Sequence, residues 1–519
     1  MKTKSLFIVI LGFLVLSIGG PAYGWQGRMG GMGDPYGLVQ DESDFLIHPA
    51  GIAIGKGINF YGGYRFSYRD VINWDYKLNV LGAFTSFPYS TSGDELKHDG
   101  HFGMAFPVGP GRMGLFLEYS GMRGDYDGRE TGSFFGTPFV YKLNMESDLD
   151  AFALRLLYGL PVGGFKLGGE FQFAYRKENN SNKMTIPAGD PFYSPAILKN
   201  FPLSEGFFAT ISPHMFNLFP FFIPFDSSYL EGLLKGSLEG SLGPMKVAFT
   251  AKGSLIFDGD NKYKFLGTAF DPTAGSKLSG DVKGWSLGGD LWLRYRLMEG
   301  LSLPFLVKVG YQEKKRNGDG IPTLSMLAGS NLDYENKEKN FQLEVGGGLD
   351  KEMAKGTRIA AGIYYDYLTY KNSFIFNVVY PGSPFSWDLN DYPNQKEHQL
   401  VLRLSGEKEL SPTFSMGMGL SFFYSWVKRD FANSFLLGAI YKDDISTDGY
   451  RWGFGLSLGG AVKFNGFTLE PFLGGGYQKL KLEGDGTSTM PLFMTPPFVY
   501  KMDMKRDEWF IGGGFSIKF

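Results

Sequence analysis

The sequence predicts an all-β fold: an antiparallel transmembrane β-barrel of about sixteen strands, with fourteen as the alternative. Three observations predict it. Apolar and polar residues alternate along most of the chain, the connections alternate between short and long, and the last residue is an aromatic that closes an amphipathic segment.

The alternation comes first. In residues 165–176 one face carries Phe165, Leu167, Phe171, Phe173 and Tyr175, and the other Lys166, Glu170, Gln172 and Arg176. In 285–296 Trp285, Leu287, Leu291, Leu293 and Tyr295 oppose Ser286, Asp290, Arg294 and Arg296. Residues 414–426 alternate large apolar side chains with Ser and Gly. A period of two means a strand with one face in an apolar medium.

A soluble sandwich would alternate too, so the connections decide. Short turns fall at 160–163, 242–245, 298–300, 353–356, 410–413 and 464–466. Long loops fall between them at 177–226, 258–280, 314–337, 371–394 and 429–447. Short periplasmic turns with long external loops are the barrel pattern. Aromatics gather at strand ends, as at Tyr364, Tyr365, Tyr367 and Tyr370, which is how interface girdles look. In 509–519 Trp509, Ile511, Phe515, Ile517 and Phe519 share one face, and such an ending resembles the signal read by outer-membrane barrel assembly machinery.

Fifteen strands follow, near 98–107, 111–121, 147–160, 163–177, 227–241, 244–258, 281–297, 300–314, 338–352, 356–371, 395–409, 412–428, 448–463, 466–482 and 506–519. Even parity asks for one more, from 57–68 or 74–84, both of which alternate. The alternative of fourteen places one hairpin outside the wall. Residues 137–145 and 495–504 echo one another, as a shared way of starting a descending strand.

Lys2 and Lys4, an apolar run from Leu6 to Ile18, and Ala22 and Gly24 at the −3 and −1 places read as a cleaved signal peptide, residues 1–24. Export makes a Gram-negative outer membrane the expected location, among outer-membrane lipids and lipopolysaccharide. No later apolar run is long enough for a membrane helix, so a closed barrel is the remaining way to span. The net charge of −2 offers no basic patch for nucleic acid. With no cysteine, thiol catalysis, disulfides and thiolate metal sites are excluded.

Residues 25–56 are too irregular for a strand and too short for a core of their own. They read as a plug-like segment or as a disordered periplasmic leader, ahead of a barrel over 57–519. In the plug reading Asp41, Asp44 and His48 meet charges in the lumen. The segment opens on Gly31, Gly33 and Gly37, continues through Asp41, Glu42 and Asp44, and ends His48-Pro49-Ala50-Gly51-Ile52. This resembles the N-terminal signature of the FadL-type long-chain fatty-acid and hydrocarbon transporter superfamily. There an Asn-Pro-Ala-Gly-Leu stretch precedes the first strand; here His48 stands for Asn and Ile52 for Leu. The resemblance implies an N-terminal segment inside the barrel and passage of hydrophobic solutes.

Residues 195–225 are unusually apolar for an external loop. Phe201, Phe207, Phe208, Ile211, Met215, Phe216, Phe219 and Phe222 are candidate ligand contacts. Apolar stretches at 374–379, 435–440 and 490–499 extend the same surface. The bland reading is a rigid lid of loops packed on each other. The lumen face carries Arg155, Lys166, Glu170, Arg176, Lys252, Asp290, Arg294, Arg296, Lys308, Arg358, Asp366 and Arg403. Its cationic excess favours anionic solutes; stabilising pairs across the lumen are the preferred explanation.

No enzyme or cofactor signature stands out, and the chain reads as a non-enzyme without cofactor or metal. His98 and His101 lie three apart, so on a strand they point to opposite faces. Gly318-Asp319-Gly320 and Gly484-Asp485-Gly486 read as turns. The leading expectation is a channel or transporter for hydrophobic or amphipathic small molecules such as long-chain fatty acids or hydrocarbons. A general diffusion porin is the alternative, and a barrel that sheathes or anchors a partner protein is the second.

Overall fold

A computed structural model describes residues 32, 45–81, 87–134, 137–185, 225–265, 276–320, 331–353, 356–379, 386–391, 394–435, 441–489 and 497–519. The expected signal peptide, Asp41, Asp44 and the eight candidate ligand contacts from Phe201 to Phe222 lie outside the described residues.

Strands account for nearly all of what is described. They are β1 (Asn59–Leu81), β2 (Phe87–Val108), β3 (Gly111–Phe134), β4 (Thr137–Val162), β5 (Phe165–Thr185) and β6 (Phe225–Leu242). Then follow β7 (Met245–Phe265), β8 (Ser276–Met298), β9 (Leu301–Gly320), β10 (Asn331–Met353), β11 (Thr357–Val379) and β12 (Ser386–Asp391). The last five are β13 (Asn394–Ser411), β14 (Phe414–Phe435), β15 (Tyr441–Lys463), β16 (Thr468–Thr489) and β17 (Phe498–Lys518). Each pairs antiparallel with its neighbours, and β1 pairs with β17. That seam closes the sheet, and reciprocal bonds between Phe60 and Phe519 extend it to the last residue.

Seventeen strands make sixteen lanes. β12 and β13 lie end to end between β11 and β14, and Phe374↔Asp391 and Lys371↔Asn394 keep one register. The two residues between them include Pro393, which has no N–H to give a ladder. The result is a closed barrel of sixteen strands, the even count expected. Residues 57–68 and 74–84 both fall largely on β1, so they never competed for the sixteenth place.

Glycines make most of the short turns. Gly109, Gly163, Gly243, Gly300, Gly356 and Gly466 all adopt positive φ, at one end of the barrel. The other end corrects the sequence reading. The long loops at 314–337 and 429–447 shrink, because β9 runs to Gly320, β10 starts at Asn331, β14 runs to Phe435 and β15 starts at Tyr441. The remaining three shorten in the same way. The physical reason lies in what the outer face meets. Near the turns it carries Phe414, Met416, Met418, Leu420 and Phe422, all exposed. Further up it carries ion pairs, such as Lys315–Glu335 at 2.6 Å, Lys337–Glu313 at 2.7 Å and Lys442–Asp444 at 2.9 Å. Both faces are then polar, so alternation vanishes while the ladder continues.

An aromatic girdle marks the change. Trp285 packs against Tyr311, Phe341 against Tyr367, Tyr424 against Trp426 and Tyr450, and Tyr477 against Trp452 and Trp509. From Phe414 to Trp426 a strand climbs about 30 Å, given a rise of about 3.3 Å per residue and a tilt of about 40°. This matches an apolar membrane belt of about 25 Å. The 26 residues of β4 span roughly 65 Å on the same basis, so the barrel rises well clear of the belt. Among the described residues no helix is long and apolar enough to cross a membrane.

Leu420 sits mid-belt. Leu420→Arg is expected to cost about 2–4 kcal/mol of stability in lipid. Ser446→Arg, above the girdle, is expected to stay within about 0.5 kcal/mol. Denaturant titrations of refolding into vesicles measure both.

Candidate functional site in the lumen

The inner face is set by the same parity. On β4 Phe152, Leu154 and Tyr158 look outward and are exposed, so Arg155 and Leu157 look inward and are buried. The N-terminal segment lies against this inner face. Phe45, Leu46 and Ile52 form one apolar cluster with Ala105, Phe116 and Leu157, with Tyr61 beside it. Met32 and Ile47 form another with Ala248, Trp292, Leu306, Ala360, Tyr364 and Val401. Between them the two clusters draw on strands from β1 to β13, so the segment reaches both sides of the bore.

Why it lies there follows from the wall. Backbone groups of an irregular segment need partners once buried. The Leu46 carbonyl accepts from Arg155 at 2.7 Å and from Lys235 at 3.4 Å. The Ala50 N–H donates to Ser237 Oγ at 2.6 Å, and Ser405 Oγ donates to the Met32 carbonyl at 2.8 Å. A 3-10 helix, Pro49–Ile54, needs room, and glycines supply it. A Cβ at Gly168 would lie 2.1 Å from the Ala50 nitrogen, and one at Gly159 would lie 2.6 Å from Ile52.

His48 is buried, and its Nδ1 lies 2.6 Å from Thr250 Oγ1. Burial lowers its pKa from 6.5 to about 4, against the pull of Asp290 and Glu239 and with the push of Lys235 and Lys308. It is therefore neutral at neutral pH, and acid must charge it in place.

The lumen residues named from sequence separate into groups. Arg155 and Glu170 come together at 2.9 Å, with Glu118 and Lys235 completing a buried network. Asp290 lies 3.9 Å from Lys252. Arg294 and Arg358 both pair with Asp350, the latter at 2.7 Å. Lys308 pairs with Glu344 at 2.7 Å, and Arg403 lies 4.0 Å from the same carboxylate with its guanidinium over the Tyr364 ring. Lys166 and Arg176 pair with Glu239 and Glu231, each at 2.7 Å. Asp366 is buried, whereas Arg296 stands exposed at the turn end, apart from these networks. Most pairs run along the wall between nearby strands, not across the bore. An exception is Glu178 on β5, which meets Lys314 and Arg316 on β9. His101 faces inward and is buried, while His98 has outward parity.

Sequence reasoning missed the receiving wall: Glu118, Lys235, Ser237, Thr250, Trp292, Tyr364 and Ser405. Small inward residues such as Ala248, Ala360 and Gly168 were the available signal. Below the segment, towards the turns, a cavity of about 360 Å³ is lined by Phe45, Tyr61, Arg358, Glu407, Glu470 and Ser516.

No protein-family model matches the chain, and no curated protein matches it. Solved structures do. The toluene transporter TodX of Pseudomonas putida is 14% identical, with 96% of this chain and 99% of that one covered, at a TM-score of 0.35. A FadL homologue from Pseudomonas aeruginosa is 10% identical over 98% and 99%, at 0.37. The toluene transporter TbuX of Ralstonia pickettii is 10% identical over 95% and 98%, at 0.33.

Two outcomes are expected. Docking that holds His48 neutral is strongest above about pH 6.5 and weakens as pH falls towards 4, by about 2 kcal/mol at pH 5. Protease sensitivity of the N-terminal segment is expected to rise between pH 7.5 and pH 5, and His48→Asn is expected to flatten that rise. Gly168→Val is expected to expose the segment to protease at pH 7.5 while the barrel's circular dichroism stays unchanged.

Proposed function

We propose that the chain is an outer-membrane channel for hydrophobic or amphipathic small molecules, gated by its N-terminal segment. The observation that carries this reading is the segment itself, seated on apolar clusters that reach both sides of the bore. A general porin needs an open aqueous lumen, and a sheath needs room for a partner; a segment held in the lumen would suit neither. Apolar solutes passing the segment would meet the side chains of Phe45, Trp292, Tyr364 and Phe423, then the cavity on the turn side. Toluene, the cargo named for two of the similar structures, belongs to this solute class.

The surroundings fit the same reading. The apolar belt would sit among outer-membrane lipids and lipopolysaccharide, after export through the signal peptide. β17, ending beside Phe519, would present the assembly signal. The apolar residues Phe201 to Phe222, which lie outside the described residues, would supply contacts for solute.

A deletion strain is expected to lose uptake of labelled long-chain fatty acids, alkanes or toluene, and to regain it with the intact chain. Uptake of small sugars is expected to stay unchanged. Normal hydrocarbon uptake together with impaired sugar uptake would return the reading to a porin.

A further inference from the structure

Above the segment, the inner face at the height of the aromatic girdle carries a feature that the channel reading does not use. A cavity of about 90 Å³ is lined by Arg69, Arg429, Arg451 and Arg506, with Glu397 and Glu508 as the acids in its wall among the described residues. Each of these side chains is next to, or a few residues above, an outward aromatic of the girdle: Tyr68, Trp426, Tyr450 and Trp452, His398, and Trp509. The site is thus the inward counterpart of the girdle on β1 and β13–β17.

The arginines are not equally balanced. Arg451 pairs with Glu397, and Arg506 with Glu508. Arg69 lies 3.7 Å from Glu95 and 3.9 Å from Glu508, and Glu95 is already held by Lys97 at 2.6 Å. Arg429 has no such partner. Its Nε donates to Gln395 Oε1 at 2.9 Å, and its Nη1 reaches the Met504 sulfur at 3.6 Å. Among the described residues no carboxylate lies within 4.0 Å of it. Arg451 Nε is buried without a hydrogen-bond partner.

A guanidinium facing a confined cavity without a counter-ion is costly. Planar guanidinium forks match oxyanions two bonds at a time. We infer that this cavity is an oxyanion site, taking a carboxylate, sulfate or phosphate group between Arg429 and Arg451. A water takes up about 30 Å³, so the space fits a single oxyanion head. Any tail belonging to that head must run along the lumen. The anion comes either free from solution or as the head of an amphipath. The site requires a lumen but does not depend on an apolar cargo.

The test uses the full-length barrel in a nonionic detergent and isothermal titration with two probes. One is sodium sulfate. The other is dodecyl sulfate below its micelle concentration. Saturable binding of sulfate assigns a free-anion site, and binding of dodecyl sulfate alone assigns an amphipath head. In either case Arg429→Gln is expected to weaken binding at least tenfold, and Arg451→Gln to do the same. Lys337→Gln, on the outer wall, is expected to leave it unchanged. The fold of each variant is checked by its resistance to unfolding in unheated gels. No saturable binding of either probe to the intact protein overturns the inference, as does binding that survives both arginine variants. Toluene uptake in cells carrying Arg429→Gln reads the channel function separately, since a neutral solute has no use for the site.

Discussion

Everything in this molecule depends on ring closure of the backbone ladder. In hydrocarbon an unpaired N–H or C=O costs several kcal/mol, so a sheet can cross only if it has no edge. The seam between β1 and β17 removes the two edges that a linear chain would leave. Phe60 and Phe519 carry the pairing to the final residue. Sixteen lanes make a bore wide enough to be filled by something other than wall side chains. Met32 and residues 45–54 lie against its inner face.

That arrangement sets two kinds of inner surface. Where the segment docks, the wall is small or apolar: Gly159, Gly168, Ala248 and Ala360 give way, and Trp292 and Tyr364 pack. Elsewhere the wall is charged, and most carboxylates are matched by cations on nearby strands. Arg155 shows how the two kinds meet. Only 1% exposed, it satisfies Glu118 and Glu170 and also caps the Leu46 carbonyl. Loss of its charge would leave buried carboxylates and a buried carbonyl unpaired, a more severe change than deleting an apolar contact. Anchoring and wall electrostatics are therefore one network.

The fold was largely legible. Each of the fifteen strands read from alternation coincides with an observed one, and of the turn glycines Gly163, Gly243, Gly300, Gly356 and Gly466 fall in the short connections read from sequence. The misreading was systematic and fell on the loop side. Alternation reports a difference between two media, and above the girdle water lies on both sides. Lys315, Lys337 and Lys442 therefore look like loop residues although their backbones are fully paired. The inward parity of Arg155, Glu170, Asp290, Arg294 and Arg403 was readable for the same reason, because those positions lie opposite the apolar belt.

By itself the sequence determined which residues share a face, where the short turns fall, and that the strand number is even. These are local properties: a period of two, a glycine at positive φ, a polar stretch between strands. What each inward residue meets was decided only by the tertiary structure. Ser405 binds the Met32 carbonyl across 373 positions, and His48 meets Thr250 across 202. Arg429 comes to share a cavity with Arg69 and Arg506 because β1 closes on β17. Such partners are set by barrel curvature and register, which bring together lanes that no local pattern connects.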